Sequence, residues 1–171
     1  LTDIFVRVGG PYTNVGPVKE SMVTIKAGAT IIDNTWLWRA DHTEEGAVLN
    51  STNPVPHGLV VEADNVKAYG LAVEHTLEDN VLWKGKNGLT YFFQAEIMYD
   101  YLEPVWNNSC YTLGHDASGH VVRGAGCYSF FRDAPTHVRS GFNTGGNTDV
   151  DMDNMFSVYL SGAPGSQITS I

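Results

Sequence analysis

Basic residues are scarce in this 171-residue chain: ten Lys and Arg stand against nineteen Asp and Glu, a net charge of −9. Nucleic-acid affinity rests on cations that neutralise phosphates, so the deficit argues against a nucleic-acid partner. It argues equally against an anionic membrane surface. No apolar run approaches the roughly 18–20 residues that a membrane helix needs. Helical periodicity of the apolar positions is almost absent. No HExxH or other zinc spacing, no GxSxG elbow, no P-loop and no GxGxxG fingerprint is found. Cysteine is down to two, Cys110 and Cys127. They either close one short disulfide or remain two buried thiols.

What is plentiful is Gly, at eighteen, and Tyr, at eight, in a chain that is 43% hydrophobic. That composition supports one β-rich domain, residues 1–171, with a real core. Leu1-Thr2-Asp3-Ile4-Phe5-Val6 alternates like a strand and not like a targeting segment. The expectation is a processed product, or the C-terminal part of a longer protein. Glycosylation sequons at Asn50 and Asn107, the cysteine pair and the low Lys content together point to secretion.

Short strands follow Asp-Asn pairs at Asp33-Asn34, Asp64-Asn65, Asp79-Asn80 and Asp153-Asn154. Asp and Asn suit such positions because they bond the local backbone and tolerate left-handed φ. On a 22-residue offset Tyr69 falls on Tyr91 and Glu74 on Glu96, while Asp41 and Asp64 lie 23 apart. A period in the low twenties with several strands per repeat predicts an all-β, single-stranded, right-handed parallel β-helix of about seven coils. Equivalent positions then stack at about 4.8 Å. Trp36, Trp38, Tyr69, Trp83, Tyr91, Phe92, Phe93, Phe130 and Phe131 supply interior or surface stacks. An antiparallel sandwich is the competing fold, but only Asn87-Gly88 offers a good hairpin turn. The expected loop intrusions are 44–57, 99–119 and 141–147.

Two acidic sets carry candidate chemistry. Asp41 and Asp64, one period apart, would face each other on neighbouring coils, and stacked carboxylates push one pKa up. Such a pair serves glycoside hydrolysis; the structural alternative makes Asp64 a plain turn residue. Glu74 and Glu96 stack by the same reasoning, as a second catalytic pair or as a surface ladder paired with cations such as Arg39. A third tract alternates Asp149, Asp151 and Asp153 with apolar residues. Three carboxylates on one strand face offer hard oxygen ligands for calcium, though an EF-hand fails because position 12 would be Leu160. No other cofactor is expected.

The blocks Trp36-Leu37-Trp38-Arg39-Ala40-Asp41-His42, Gly58-Leu59-Val60-Val61, Asp64-Asn65-Val66, Tyr69-Gly70-Leu71, Val73-Glu74-His75, Trp83-Lys84-Gly85, Thr90-Tyr91-Phe92-Phe93-Gln94 and Tyr128-Ser129-Phe130-Phe131-Arg132-Asp133 resemble a group of secreted microbial β-helix proteins. That group is similar to the catalytic β-helix of mycodextranase-type α-1,3-glucanases. The resemblance implies an inverting glucan hydrolase with Asp41 and Asp64 as acid and base. Asn65 stands where that pattern has a third, ionisable Asp, so Glu74 or Glu96 would replace it. Trp38, Trp83 and Tyr91 are candidates for stacking on sugar rings, with core packing the alternative. Arg39, His42, His75 and Gln94 are the polar candidates for holding a glucan. The reading from another class is a non-catalytic extracellular solenoid that self-associates through its ends into a fibre or matrix layer.

Overall fold

A computed structural model describes residues 1–10, 20–49 and 52–170. Sixteen strands run in order: β1 (Thr2–Val8), β2 (Ser21–Ile25), β3 (Ile31–Arg39), β4 (His42–Thr43), β5 (Gly46–Ala47), β6 (His57–Val61), β7 (Lys67–Glu74) and β8 (Val81–Trp83). They continue as β9 (Leu89–Glu96), β10 (Val105–Trp106), β11 (Tyr111–Leu113), β12 (His120–Phe131), β13 (His137–Ser140), β14 (Phe142–Asn143), β15 (Val150–Gly162) and β16 (Gln167–Ser170). Three parallel sheets hold all but two of them, in the orders β1-β3-β7-β9-β12-β15, β14-β11-β8-β6-β2 and β10-β13-β16. Only β4 and β5 pair antiparallel among the described residues, as a small hairpin. Sequence neighbours therefore lie in different sheets and each sheet is built from successive turns, which is a parallel β-helix and not a sandwich. No helix among the described residues is long and apolar enough to cross a membrane.

The turns are unequal. Along the six-rung sheet Thr2 lies opposite Asp33, Ile31 opposite Lys67, Lys67 opposite Leu89, Leu89 opposite Val121 and Val121 opposite Asp151. Only the β7–β9 step spans 22 residues; the others span 30 to 36, because loops intrude between the sheets.

Stacking in register builds the core as columns. Ile32, Ala68, Thr90, Val122 and Met152 form one, and Leu37, Val73, Ala95 and Cys127 another. Most of these side chains are fully buried, each Leu or Val contributing about 1.5–3 kcal/mol. Cys110 and Cys127 meet inside the turn as a disulfide, with Cα atoms 5.8 Å apart. A buried polar chain runs from Thr90 Oγ1 to Tyr111 OH (2.8 Å) and on to His120 Nε2 (2.9 Å). Burial pulls His120 down to about 4, so its ring is neutral at working pH and can accept the phenol proton.

Each long strand bends at one residue in the left-handed region. Asp3, Asn34, Gly70, Phe92, Gly124 and Asn154, with φ between 50° and 66°, lie side by side across all six rungs. A second ladder joins Ala29, Asn65, Asn87 and Gly119 before the strands, linked by backbone bonds such as Asn65 N to Lys86 O at 2.8 Å. Asp, Asn and Gly adopt this conformation cheaply, whereas a larger side chain costs about 1–2 kcal/mol there. The Asp-Asn pairs thus mark bends, with one exception. Asn80 points inward, and its Nδ2 donates to the carbonyls of Val73 (2.9 Å) and Glu96 (3.1 Å).

Close approach of turns sets a local limit at Gly85, where an added Cβ would overlap the Ala63 carbonyl. Gly85→Ala is expected to cost about 2–3 kcal/mol, seen as a lower urea midpoint with unchanged m.

Candidate active site on the six-stranded sheet

Outward positions on the C-terminal half of this sheet fall into two columns. The first runs Phe5, Trp36, Ala72, Gln94, Gly126, Phe156; the second runs Arg7, Trp38, Glu74, Glu96, Tyr128, Val158. Glu74 and Glu96 are register partners on adjacent rungs, as the 22-residue offset predicts. Like charges at that spacing repel and need compensation.

Compensation comes from donors that draw the two carboxyls apart along the strands. Trp36 Nε1 donates to Glu74 Oε2 at 2.9 Å and Gln94 Nε2 to Glu74 Oε1 at 3.1 Å, from the neighbouring column. Glu96 Oε2 instead accepts the Tyr99 hydroxyl and faces His75 Nε2 at 3.7 Å, beyond the strand end. Glu96 Oε1 has no hydrogen-bond partner among the described residues. Burial and then the Glu96 charge push Glu74 up to about 7. Glu74 therefore keeps its proton up to near neutrality. Burial, with the Glu96 charge, also raises Tyr99, which stays a phenol and a donor.

His75 follows Glu74 directly, at φ 63° and with a buried ring. Its Nε2 lies 3.9 Å from Asp41 Oδ1, so it bridges Asp41 and Glu96, while its ring packs edge-on to Tyr99 at 4.4 Å. Burial pulls His75 down to about 4. Beneath it lies Arg39, 0% exposed, whose guanidinium makes a bidentate pair with buried Asp100 at 3.1 and 2.9 Å. Arg39 also donates to the carbonyls of His75, Leu49 and Thr52. One cation thus fixes the left-handed His75 and the loop that carries Asp41 and the β4–β5 hairpin. Trp38, flanked by Trp36 at 5.6 Å, Arg7 at 4.9 Å and His42 at 5.6 Å, forms the adjoining aromatic wall.

Several sequence expectations change here. Asp41, Glu74 and Glu96 come together, but Asp64 does not join them. Asp41 follows the end of β3, whereas Asp64 precedes the start of β7, at the opposite end of the sheet. Asp64 Oδ1 instead accepts the Lys86 amide at 2.7 Å, a turn role. The 36-residue step between β3 and β7 removes the one-coil offset on which the Asp41–Asp64 pairing rested. Trp83 is wholly buried against Tyr111, so it is core and no sugar platform. Arg39 is equally buried and acts as an internal clamp rather than a ligand for sugar. Tyr91 stacks on Tyr69 at 6.0 Å, but on the facet before the bend. His42 and Gln94 do border the site. Asp149, Asp151 and Asp153 form no metal cluster: among the described residues no three His, Cys, Asp or Glu gather as ligands, and Asp151 is paired with Arg123. Asn107 is exposed, while Asn50 lies outside the described residues. Tyr99, the hydrogen bond from Trp36 and the inward Asn80 were missed, since none carries a motif; only the register reveals them.

Bent parallel rungs closed by two smaller sheets define the pectate-lyase-like class of β-helix. The chain belongs to the family of the LAM55 pectate lyase-like domain, whose model matches residues 1–96. An exo-β-1,3-glucanase of Streptomyces sp. (strain SirexAA-E / ActE) is 35% identical across 95% of the chain. The structure of sacteLam55A from Streptomyces sp. SirexAA-E superimposes with a TM-score of 0.80 at 31% identity over 95% of the chain. A variant of that protein in complex with glucose gives the same values. The chain spans 27% of the length of the glucanase and 31% of the solved chain.

The shifted groups have opposite effects on stability. Glu74, raised from 4.5 to about 7, contributes stability that is present below pH 4.5 and lost as pH rises through 7. His75 and His120, lowered from 6.5 to about 4, contribute stability that is present above pH 6.5 and lost as pH falls through 4. Glu74→Gln removes the first contribution alone. Denaturant titrations should show the variant more stable than wild type at pH 7.5 by about 2 kcal/mol, converging near pH 4.

Proposed function

We propose that this β-helix is the catalytic part of a secreted glucan hydrolase that cleaves β-1,3-linked glucose chains. The observation that carries the reading is the Glu74–Glu96 register pair beside an indole wall, in which Glu74 keeps its proton up to near neutrality. Glu96 is the general acid: Glu74 stores the proton up to near neutrality and passes it to Glu96, whose Oε1 has no hydrogen-bond partner among the described residues and can meet the glycosidic oxygen while Tyr99 donates to Oε2. Proton delivery leaves two neighbouring anions, an arrangement that the Trp36 and Gln94 donors on Glu74 make tolerable. Glu74 then orients and deprotonates water for attack on the developing oxocarbenium ion. Inversion follows the sequence resemblance and requires the two carboxyls to stand far enough apart to admit a water. Asp41 acts through His75, keeping the neutral imidazole turned toward Glu96.

The β-1,3 linkage and the exo mode are supported by the name of the Streptomyces relative; the α-1,3 linkage implied by the sequence resemblance is the alternative specificity. The disulfide is consistent with secretion.

The full-length protein, assayed on laminarin-type β-1,3-glucan and on α-1,3-glucan, should release glucose-based sugar from the first alone. Glu96→Gln should lower kcat by about a hundred- to ten-thousandfold, with KM changed far less. Proton NMR of the first product should show the inverted anomer. Release from neither polymer would defeat the reading, and release from α-1,3-glucan alone would reassign the linkage.

A further inference from the structure

The bend ladder has one member of the wrong kind. Asp3, Asn34, Gly70, Gly124 and Asn154 are residues that suit a left-handed bend, but the fourth rung places Phe92 there, at φ 59°. Its neighbours on both sides are glycines, so the fold itself accepts Gly at this corner. Nor does packing explain the ring, which at 74% is the most exposed large apolar side chain among the described residues. Strain that persists without a packing return points to a role in function.

The surroundings say which role. Phe92 stands as a ridge between two shallow concavities, each about 220 Å³. The first is floored by Ala72 and walled by Trp36 and Gln94, the two residues that donate to Glu74. The second is walled by Gln94, Tyr128 and Phe156. Small residues, Ala72 and Gly126, alternate with large ones along that outward column and open the space on either side. We propose that Phe92 is a stacking platform for the glucan chain outside the catalytic pair. Its ring takes the face of a pyranose away from the bond being cut, with neighbouring units seated in the two concavities. Carbohydrate C–H faces pair with aromatic rings, and the adjoining Gln94 offers polar contacts to the hydroxyls. The occupant rests on the glucan reading above; the ridge itself rests on the strain, the exposure and the continuity with the donors to Glu74.

The test uses the full-length protein in the Glu96→Gln background, which prevents turnover, and measures calorimetric binding of linear β-1,3-linked glucose oligomers of two and six units. Phe92→Gly should bind the six-unit oligomer about five- to tenfold more weakly, with a smaller loss for the two-unit oligomer. Its Tm should rise by about 2–4 °C as the strained ring is removed. Phe92→Trp should keep the affinity. Unchanged six-unit binding in Phe92→Gly, or a fall in its Tm, would overturn the platform while leaving the glucanase reading intact. Failure of the Glu96→Gln protein with Phe92 in place to bind either oligomer would overturn the glucan as occupant, and with it both readings.

Discussion

In-register stacking of parallel rungs is the constraint from which everything else in this molecule follows. A residue that bends one rung must lie over a residue that bends the next, or the turns separate. The consequence is the left-handed ladder from Asp3 to Asn154 and its shorter companion from Ala29 to Gly119. The same rule that aligns bends aligns side chains. It gathers Arg7, Trp38, Glu74, Glu96 and Tyr128 from five separate rungs into one outward column. The site is thus a property of the stacking and not of a local motif.

That rule also creates the problem the site uses. Two carboxylates forced into register cannot both ionise freely near neutrality. Around them the chain places an indole and an amide on one side, a phenol and an imidazole on the other. Arg39 and Asp100 lie below as a closed ion pair, and their expense in desolvation is offset by the carbonyls of His75, Leu49 and Thr52 that the guanidinium also binds. A charge buried inside the solenoid thereby fixes the position of groups on its surface.

How much of this was legible depended on the length of each turn. Tyr69 with Tyr91, and Glu74 with Glu96, were found by spacing because the β7–β9 turn carries no insertion. Asp41 and Asp64 shared almost the same spacing, yet the turn between their strands is lengthened by the hairpin loop. A periodicity argument cannot see which turns are padded. The Asp-Asn pairs were legible as bend signals, but Asp64 and Asp79 cap backbone amides, Asn65 bends the chain and Asn80 reaches inward. Identical dipeptides serve different ends according to the facet on which they fall. Trp83 and Arg39 looked like ligands because residue type reveals chemistry and not depth.

The disulfide illustrates what kind of object this is. Cys110 and Cys127 lie on consecutive facets, so their bond closes a loop that is only part of one turn. It ties two facets of the solenoid together at one level and leaves the stacking of successive turns to hydrogen bonds and side-chain columns. Under tension, the turns on either side would separate by breaking hydrogen bonds and side-chain contacts, whereas the closed loop carries load through a covalent bond. The bond is, mechanically, a pin between two faces of the solenoid and not a clasp between its turns.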